Sequence, residues 1–268
     1  MKQITATVVA NKRILPGGPH RAGWSLGSHL IKLHCPEMER AKPGQFVMVN
    51  CGGECVLPRP FSLHWANRDD IALFFAALER GKGTQWLANR KEGDAVKLFG
   101  PLGNNGFSIS PRAKRLLVVA GGNGIAPLCF LAQQAVSGKC SVTLLLGAAV
   151  GPLYTERPEN LLPQEIALVT ATEDGSSGHK GLITDLLPDY VDWADQIFAC
   201  GPASMYRAMA QMPELKNKPV QVSLEVRMGC GRGVCYGCTV KTKQGLKQVC
   251  QDGPVFDLDD VIWEELDY

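Results

Sequence analysis

The sequence predicts a small antiparallel β-barrel, then a doubly wound parallel-sheet domain, then a short cysteine-rich unit. Three observations carry this. Short β-type runs separated by turn clusters fill the chain up to about Gly100. From Arg115 the pattern alternates between strand and helix. Four of the ten cysteines stand at or beyond position 230.

The 268 residues suffice for two ordinary domains with length left over. At 45% hydrophobic and 20% charged the composition is that of a folded protein with a core of normal size. A net charge of +2 gives no reason to expect nucleic acid or a membrane surface as partner. Met1–Lys12 lacks the apolar core of a signal peptide. The longest apolar run, Val142–Val150, is broken by Thr143 and Gly147, well short of a bilayer span. The expected location is the cytoplasm, where thiols serve as free groups or ligands and not as a disulfide framework.

The expected barrel strands are Ile4–Val9, Leu26–Leu33, Phe46–Val49, Phe61–Trp65, Ile71–Leu78 and Ala95–Phe99. Pro16–Gly18, Pro43–Gly44 and Lys91–Gly93 punctuate them, and one short helix is expected at Thr84–Arg90. From Arg115 on, strands are expected at Arg115–Ala120, Ser141–Leu146, Ile166–Thr170, Gln196–Cys200 and Val220–Leu224. Helices are expected near Pro127–Ser137, Leu182–Leu187 and Ala203–Met212. The units are 1–105, 106–218 and 219–268. A parallel sheet of this kind binds ligands beyond the carboxyl ends of its strands.

The motif Cys230-Gly-Arg-Gly-Val-Cys235-Tyr-Gly-Cys238, with Cys250 after eleven intervening residues, has the C-x4-C-x2-C…C spacing of plant-type two-iron, two-sulfur clusters. Its glycines allow a tight loop whose amides approach sulfur. Zinc is the competing metal, but zinc sites usually pair two C-x2-C knuckles. Cys51 and Cys55 have no further ligand nearby in sequence and read as packed thiols.

Two loci suit nucleotides. In Arg59-Pro60-Phe61-Ser62 an arginine can pair with a pyrophosphate and a hydroxyl can meet the edge of an isoalloxazine ring. Gly81-Lys82-Gly83-Thr84 offers glycine amides at a helix start, which suits phosphate; a plain turn with a threonine cap is the other reading. Gly121-Gly122-Asn123-Gly124 follows the first strand of the second unit, and Cys200-Gly201-Pro202 follows another, so a dinucleotide can approach both loops. Glu173 and Asp174 can bind ribose hydroxyls or sit in a solvated turn. No arginine stands in Gly147–Val150 to receive a 2′-phosphate, which favours NADH over NADPH.

With these motifs the chain resembles the electron transfer subunit of NAD-dependent dihydroorotate dehydrogenase, a branch of the ferredoxin reductase superfamily. Gly100-Pro101-Leu102-Gly103-Asn104, Ser223-Leu224-Glu225, Arg227-Met228-Gly229-Cys230 and Val249–Phe256 round the fourth cysteine carry the likeness further. The resemblance implies an FAD-binding barrel, an NAD(H)-binding domain and a 2Fe-2S domain with Cys230, Cys235, Cys238 and Cys250 as ligands. It implies FAD contacts from Arg59, Pro60, Phe61, Ser62, Ala76, Ala77, Leu78, Gly83 and Thr84, and nicotinamide-nucleotide contacts from Gly121, Gly122, Gly124, Cys200, Gly201 and Pro202. Ala76–Leu78 are smaller and less polar than is usual there, so they would act through backbone. Asn123 stands where an aliphatic or hydroxyl residue is common.

The implied partner is the FMN-containing catalytic subunit that oxidises dihydroorotate in pyrimidine synthesis, in a heterotetramer. The implied electron order is NADH, FAD, cluster, partner, with no catalytic acid or base in this chain. Other readings are the electron-transfer subunit of a sulfide dehydrogenase or a ferredoxin–NADP oxidoreductase, a self-contained reductase, and a redox sensor.

Overall fold

The computed structural model describes residues 3–20, 23–38, 40–151 and 162–266. The ends of the first and third expected units (1–2 and 267–268) and the stretch 152–161 of the second lie outside the described residues.

Strands β1 (Ile4–Leu15), β2 (Gly18–His20), β3 (Gly23–His34), β4 (Phe46–Val49), β5 (Arg59–Ala66), β6 (Asp70–Leu78) and β7 (Ala95–Leu102) form one antiparallel sheet in the order β1-β7-β4-β5-β6-β3-β2. A further β1–β3 pairing closes six of them into a barrel. Alternate residues such as Ile4, Ala6 and Val8 fill its interior with Ile31, Leu33, Val47 and Leu63. Helix α1 (Lys82–Ala88) follows β6.

All six expected strands are present, but β1 and β3 run to 12 residues each. The polar stretch Asn11–Arg13 hides this in the sequence. Register shifts between Val8 and Ala10 and between Arg13 and Leu15 bend β1 so that its second half still pairs with β3.

The second sheet has the order β11-β10-β9-β8-β12-β13-β16. Its parallel strands are β8 (Arg115–Gly121), β9 (Ser141–Ala148), β10 (Ala167–Thr172), β11 (His179–Lys180), β12 (Gln196–Cys200) and β13 (Val220–Ser223). Helices α2 (Ile125–Ser137) and α4 (Ala203–Gln211) lie near their expected places. The segment expected as a helix at Leu182–Leu187 is instead a 3-10 turn, Ile183–Leu186, leading into a short α3 (Leu187–Val191). Asp185 accepts the Leu182 N–H at 2.8 Å, which fixes the start of that turn. Strand order reverses between β8 and β12, so the ligand crevice belongs there.

The cysteine-rich segment holds the hairpin β14 (Thr239–Thr242) and β15 (Gly245–Gln248), then a single turn α5 (Val249–Asp252) and β16 (Val255–Asp257). β16 pairs antiparallel with β13, joining the end of the chain to the parallel sheet. Among the described residues no helix is long and apolar enough to cross a membrane.

Barrel and parallel sheet meet where β5 packs on α2. Phe130 of α2 enters the barrel core, and His64 of β5 is 2% exposed, with its ring 5.8 Å from that of Phe74. Neither ring nitrogen makes a well-formed hydrogen bond, and burial pulls the imidazole down to about 4, with the Ala126 backbone offsetting this in part. The unfolded chain takes up this proton below about pH 6.5, whereas the native chain refuses it until about pH 4. Native stability at this site is therefore lost as pH falls through that window, by up to roughly 3 kcal/mol. Urea midpoints measured from pH 7.5 to pH 4 should fall more steeply for the wild type than for His64→Gln. Parallel curves would contradict this account of His64.

Candidate functional site

A cleft of about 530 Å³ lies between the barrel and the parallel sheet. Pro60, Phe61 and Ser62 of β5, Ala76 and Leu78 of β6, and Thr84 of α1 line one side. Phe61 is fixed edge-on against Phe75, with ring centroids 5.3 Å apart. The Thr84 hydroxyl accepts the Leu78 N–H at 3.0 Å and donates to the Gly81 carbonyl at 3.0 Å, tying the start of α1 to the end of β6. A Cβ on Gly81 would come 2.5 Å from that hydroxyl, so the turn requires glycine.

Arg59, Ala77, Gly83 and Cys200 do not line the cleft. Arg59 donates from Nη1 to the Leu57 carbonyl at 2.7 Å, and its stem lies under Gly83, where a Cβ would come 2.9 Å from Arg59 Cγ. Ala77 is buried in the barrel wall. Arg59 and Gly83 therefore sit together beside Thr84, at the rim of the cleft and not within it.

Gly121, Gly122 and Gly124 after β8 and Gly201 and Pro202 after β12 line the opposite side. These loops touch, which explains their glycines. A Cβ on Gly124 would overlap the Cys200 carbonyl, and one on Gly121 would come 2.7 Å from Pro202 Cδ. Gly201 N–H donates to the Tyr206 hydroxyl at 2.8 Å, and that hydroxyl donates to the Ser223 carbonyl at 2.7 Å. Cys200 is fully buried and contributes backbone, not thiol, to this contact. Glu173 lines the cleft, whereas Asp174 is engaged by the backbone and hydroxyl of Ser176 at 3.0 and 2.5 Å.

Several lining residues carried no sequence signal of their own. Ser25, Ser28 and His20 come from the β2–β3 hairpin, and Asn123 Nδ2 lies 3.1 Å from His20 Nε2 across the cleft. Glu225 and Met228 also reach the cleft. Both lie in the segment that carries the family likeness, which was the signal available for them.

Three of the four clustered cysteines lie in the loop before β14, and Cys250 lies in the turn after β15. Their thiols interact as two pairs, Cys230 with Cys235 and Cys238 with Cys250, and Cys230 also acts on Cys250. Burial raises the Cys230 thiol, yet the backbone N–H groups of Arg232, Val234 and Cys235 and the Cys235 side chain outweigh it and draw it below its ordinary value. Burial, then the Cys238 thiol, raises Cys250, against the N–H of Gly233. Amides aimed at sulfur suit thiolates bound to iron. Among the described residues no three or more His, Cys, Asp and Glu side chains converge on a single metal-ion position; the two-and-two pairing matches a centre with two ligands per iron. Cys238 and Cys250 are buried and Cys235 is exposed, so one edge of the loop faces outward. Cys51 is buried and its thiol is pushed up to about 12 by burial, then by Cys55, in keeping with a packed thiol.

A closed barrel, a parallel sheet with glycine loops at its switch point and a cleft between them define the ferredoxin reductase class. A solved NADH-dependent reduced ferredoxin-NADP oxidoreductase is similar to the chain with a TM-score of 0.82 and 27% identity, over 97% of this chain and 91% of that one. The ferredoxin reductase of carbazole 1,9a-dioxygenase shares the fold at a TM-score of 0.68, 21% identity, and coverage of 82% and 68%.

The model of the iron-sulfur cluster binding domain of dihydroorotate dehydrogenase B matches residues 225–262. The dihydroorotate dehydrogenase B (NAD(+)) electron transfer subunit of Desulforamulus reducens is 38% identical over 248 residues, 88% of this chain and 93% of that protein. That of Geobacillus sp. (strain WCH70) is 35% identical over 269 residues, covering 98% and 99%. The chain belongs to the family of dihydroorotate dehydrogenase B (NAD(+)) electron transfer subunits. The family expected from the motifs is thus borne out over its alternatives.

If Arg59 makes the pyrophosphate contact expected from its motif, Arg59→Ala should weaken FAD retention, since such a charge-assisted contact contributes about 1.5–3 kcal/mol, which is roughly tenfold to hundredfold in affinity. Flavin content after exhaustive dialysis measures this. Full retention would show that Arg59 serves only the Leu57 turn.

Proposed function

We propose that the chain channels electrons between NAD(H), bound in the cleft, and the FMN of a dihydroorotate-oxidising catalytic subunit, by way of FAD and a 2Fe-2S cluster. One observation carries this reading. The cleft and the cysteine loop share a wall: Phe46 and Met228 line the cleft, and Phe46 belongs to the same buried layer as Met48, Cys238 and Cys250. Electrons crossing from cleft to cluster would pass through packed protein and not through water.

When bound, FAD accepts hydride as an electron pair and gives up electrons singly, and a two-iron cluster carries one at a time. The residues supply placement. Arg59, Gly83 and Thr84 would hold the FAD phosphates, and Pro60, Phe61, Ser62 and the β6 backbone at Ala76, Ala77 and Leu78 would hold its ring. Gly121, Gly122, Gly124, Cys200, Gly201 and Pro202 would seat the nicotinamide nucleotide against it, and Glu173 would meet a ribose. Cys230, Cys235, Cys238 and Cys250 would ligate iron. Segments 1–105, 106–218 and 219–268 would then serve flavin, nicotinamide and cluster in turn, with the β12–β13 pairing as the seam between the last two.

The catalytic subunit would dock at the exposed edge of the cluster loop. Val234 and Tyr236 are 72% and 70% exposed on either side of Cys235. Leu57 is close by: a Cβ on Gly229 would lie 3.8 Å from Leu57 and 3.5 Å from the Cys235 thiol. Val56, next to it, is 95% exposed. An apolar, partly aromatic patch round an electron exit suits a stable protein partner. The family resemblance implies that this assembly is a heterotetramer in the cytoplasm.

Cys235→Ser separates the two halves of the pathway. NADH should still bleach the flavin at close to the wild-type rate, because hydride arrives at the cleft. Orotate formation with NAD+ by the reconstituted complex should fall at least tenfold. Equal loss of both rates in a folded, FAD-replete variant would contradict the proposed order.

A further inference from the structure

We propose that Arg232 raises the reduction potential of the cluster by holding a permanent positive charge within the cysteine loop, over the ring of Phe99. The inference rests on the reading of the four cysteines as ligands of a two-iron cluster, and it concerns the one cationic side chain within the first cysteine spacing.

The backbone fixes where this charge starts. Arg232 N–H donates to Cys230 Sγ at 3.3 Å. The residue before it, Gly231, has φ +62 and presses on the barrel: a Cβ there would come 2.6 Å from Met48 Cγ and 3.1 Å from Leu102 Cδ1. Gly233 on the other side, at φ +74, is held against Gln251, where a Cβ would come 2.6 Å from Cγ. Arg232 is thus clamped between two glycines that admit no side chain and cannot swing away from the sulfur.

The side chain is fixed as well. Its guanidinium carbon stands 4.5 Å from the centroid of the Phe99 ring. Phe99, on β7, is buried in the same layer as Phe46 and Met48, so the surface that holds the arginine is rigid. An exposed arginine is ordinarily mobile, and stacking on an aromatic face holds it in place. Among the described residues no carboxylate pairs with Arg232, so its charge is not cancelled locally. The side chain is otherwise exposed.

The physical consequence follows from sign. Reduction adds an electron to a centre already made anionic by its thiolates. A fixed cation nearby stabilises the reduced form more than the oxidised form and draws electrons toward the cluster. The same charge at an exposed site is screened by added salt.

The test is a potentiometric titration of the full chain, with its FAD and cluster, followed by the electron paramagnetic resonance signal of the reduced cluster. Iron, sulfide and FAD are assayed on the same samples, and the flavin midpoint serves as internal reference. Arg232→Met, which keeps the stem and removes the charge, should lower the cluster midpoint by about 59 mV, a tenfold change in a one-electron equilibrium. Arg232→Lys should keep most of the wild-type potential, and the difference between wild type and Arg232→Met should shrink as ionic strength rises. Equal potentials in wild type and Arg232→Met would overturn the inference. So would equal shifts in the Met and Lys variants, or a salt-independent shift, since both mark lost packing and not lost charge. A wild-type chain without two irons and two sulfides would instead overturn the cluster reading on which the inference rests.

Discussion

The antiparallel pairing of β16 with β13 is the contact on which the arrangement of the whole molecule depends. Ser223, Val222 and Gln221 face Val255, Phe256 and Asp257, so the chain leaving Cys250 returns at once into the parallel sheet. The residues just before β16 are tied to the barrel. Asn105 N–H donates to the Gly253 carbonyl at 3.1 Å, Val255 N–H donates to the Asn105 carbonyl at 3.3 Å, and Asn105 Nδ2 donates to the Asp252 carbonyl at 2.7 Å. A Cβ on Gly103 would overlap Pro254, and one on Gly44 would come 2.8 Å from Val255. One short strand thus binds barrel, parallel sheet and cysteine loop into a single junction. A cluster held on a free tail would have no fixed distance to the cleft. Here Cys250 lies in the turn that leads directly into that strand.

The same economy of space governs the cleft. The loops after β8 and β12 carry glycines where each occupies the volume a Cβ of the other would need, as Gly124 against the Cys200 carbonyl shows. The hydrogen-bond chain from Gly201 through Tyr206 to Ser223 links the end of β12 to the end of β13, and hence to β16. A buried hydroxyl with both its donor and its acceptor used is costly to disturb, so the loop after β12 and the segment after β13 are coupled through few residues.

Much of this was legible in the sequence, for identifiable reasons. The spacing of Cys230, Cys235, Cys238 and Cys250 is chemically restrictive, and the family model covers this stretch. The strands of the parallel sheet are continuous apolar runs, which read clearly. The elements that escaped are those set by tertiary context. β16 is three residues long and has no periodicity to detect; it is a strand because β13 offers an open edge. The second half of β1 is polar because it lies at the mouth of the barrel, where Asn11 donates to the Leu87, Ala88 and Arg90 carbonyls. His20, Ser25 and Ser28 reach the cleft because a hairpin folds over it, which no local pattern announces. Arg59 and Gly83 were read as nucleotide contacts from separate motifs; that the arginine stem occupies the space against Gly83 is set by tertiary packing.

The central claim is that one chain joins a hydride site to a one-electron centre through its own packed interior. Anaerobic addition of NADH to the purified full chain, with spin quantitation of the cluster alongside iron, sulfide and flavin content, tests it most directly. The account predicts one FAD, two irons and two sulfides per chain, flavin bleaching, and a reduced-cluster signal approaching one spin per chain. Stoichiometric zinc, four irons, or a two-iron cluster that stays oxidised while the flavin bleaches would contradict it.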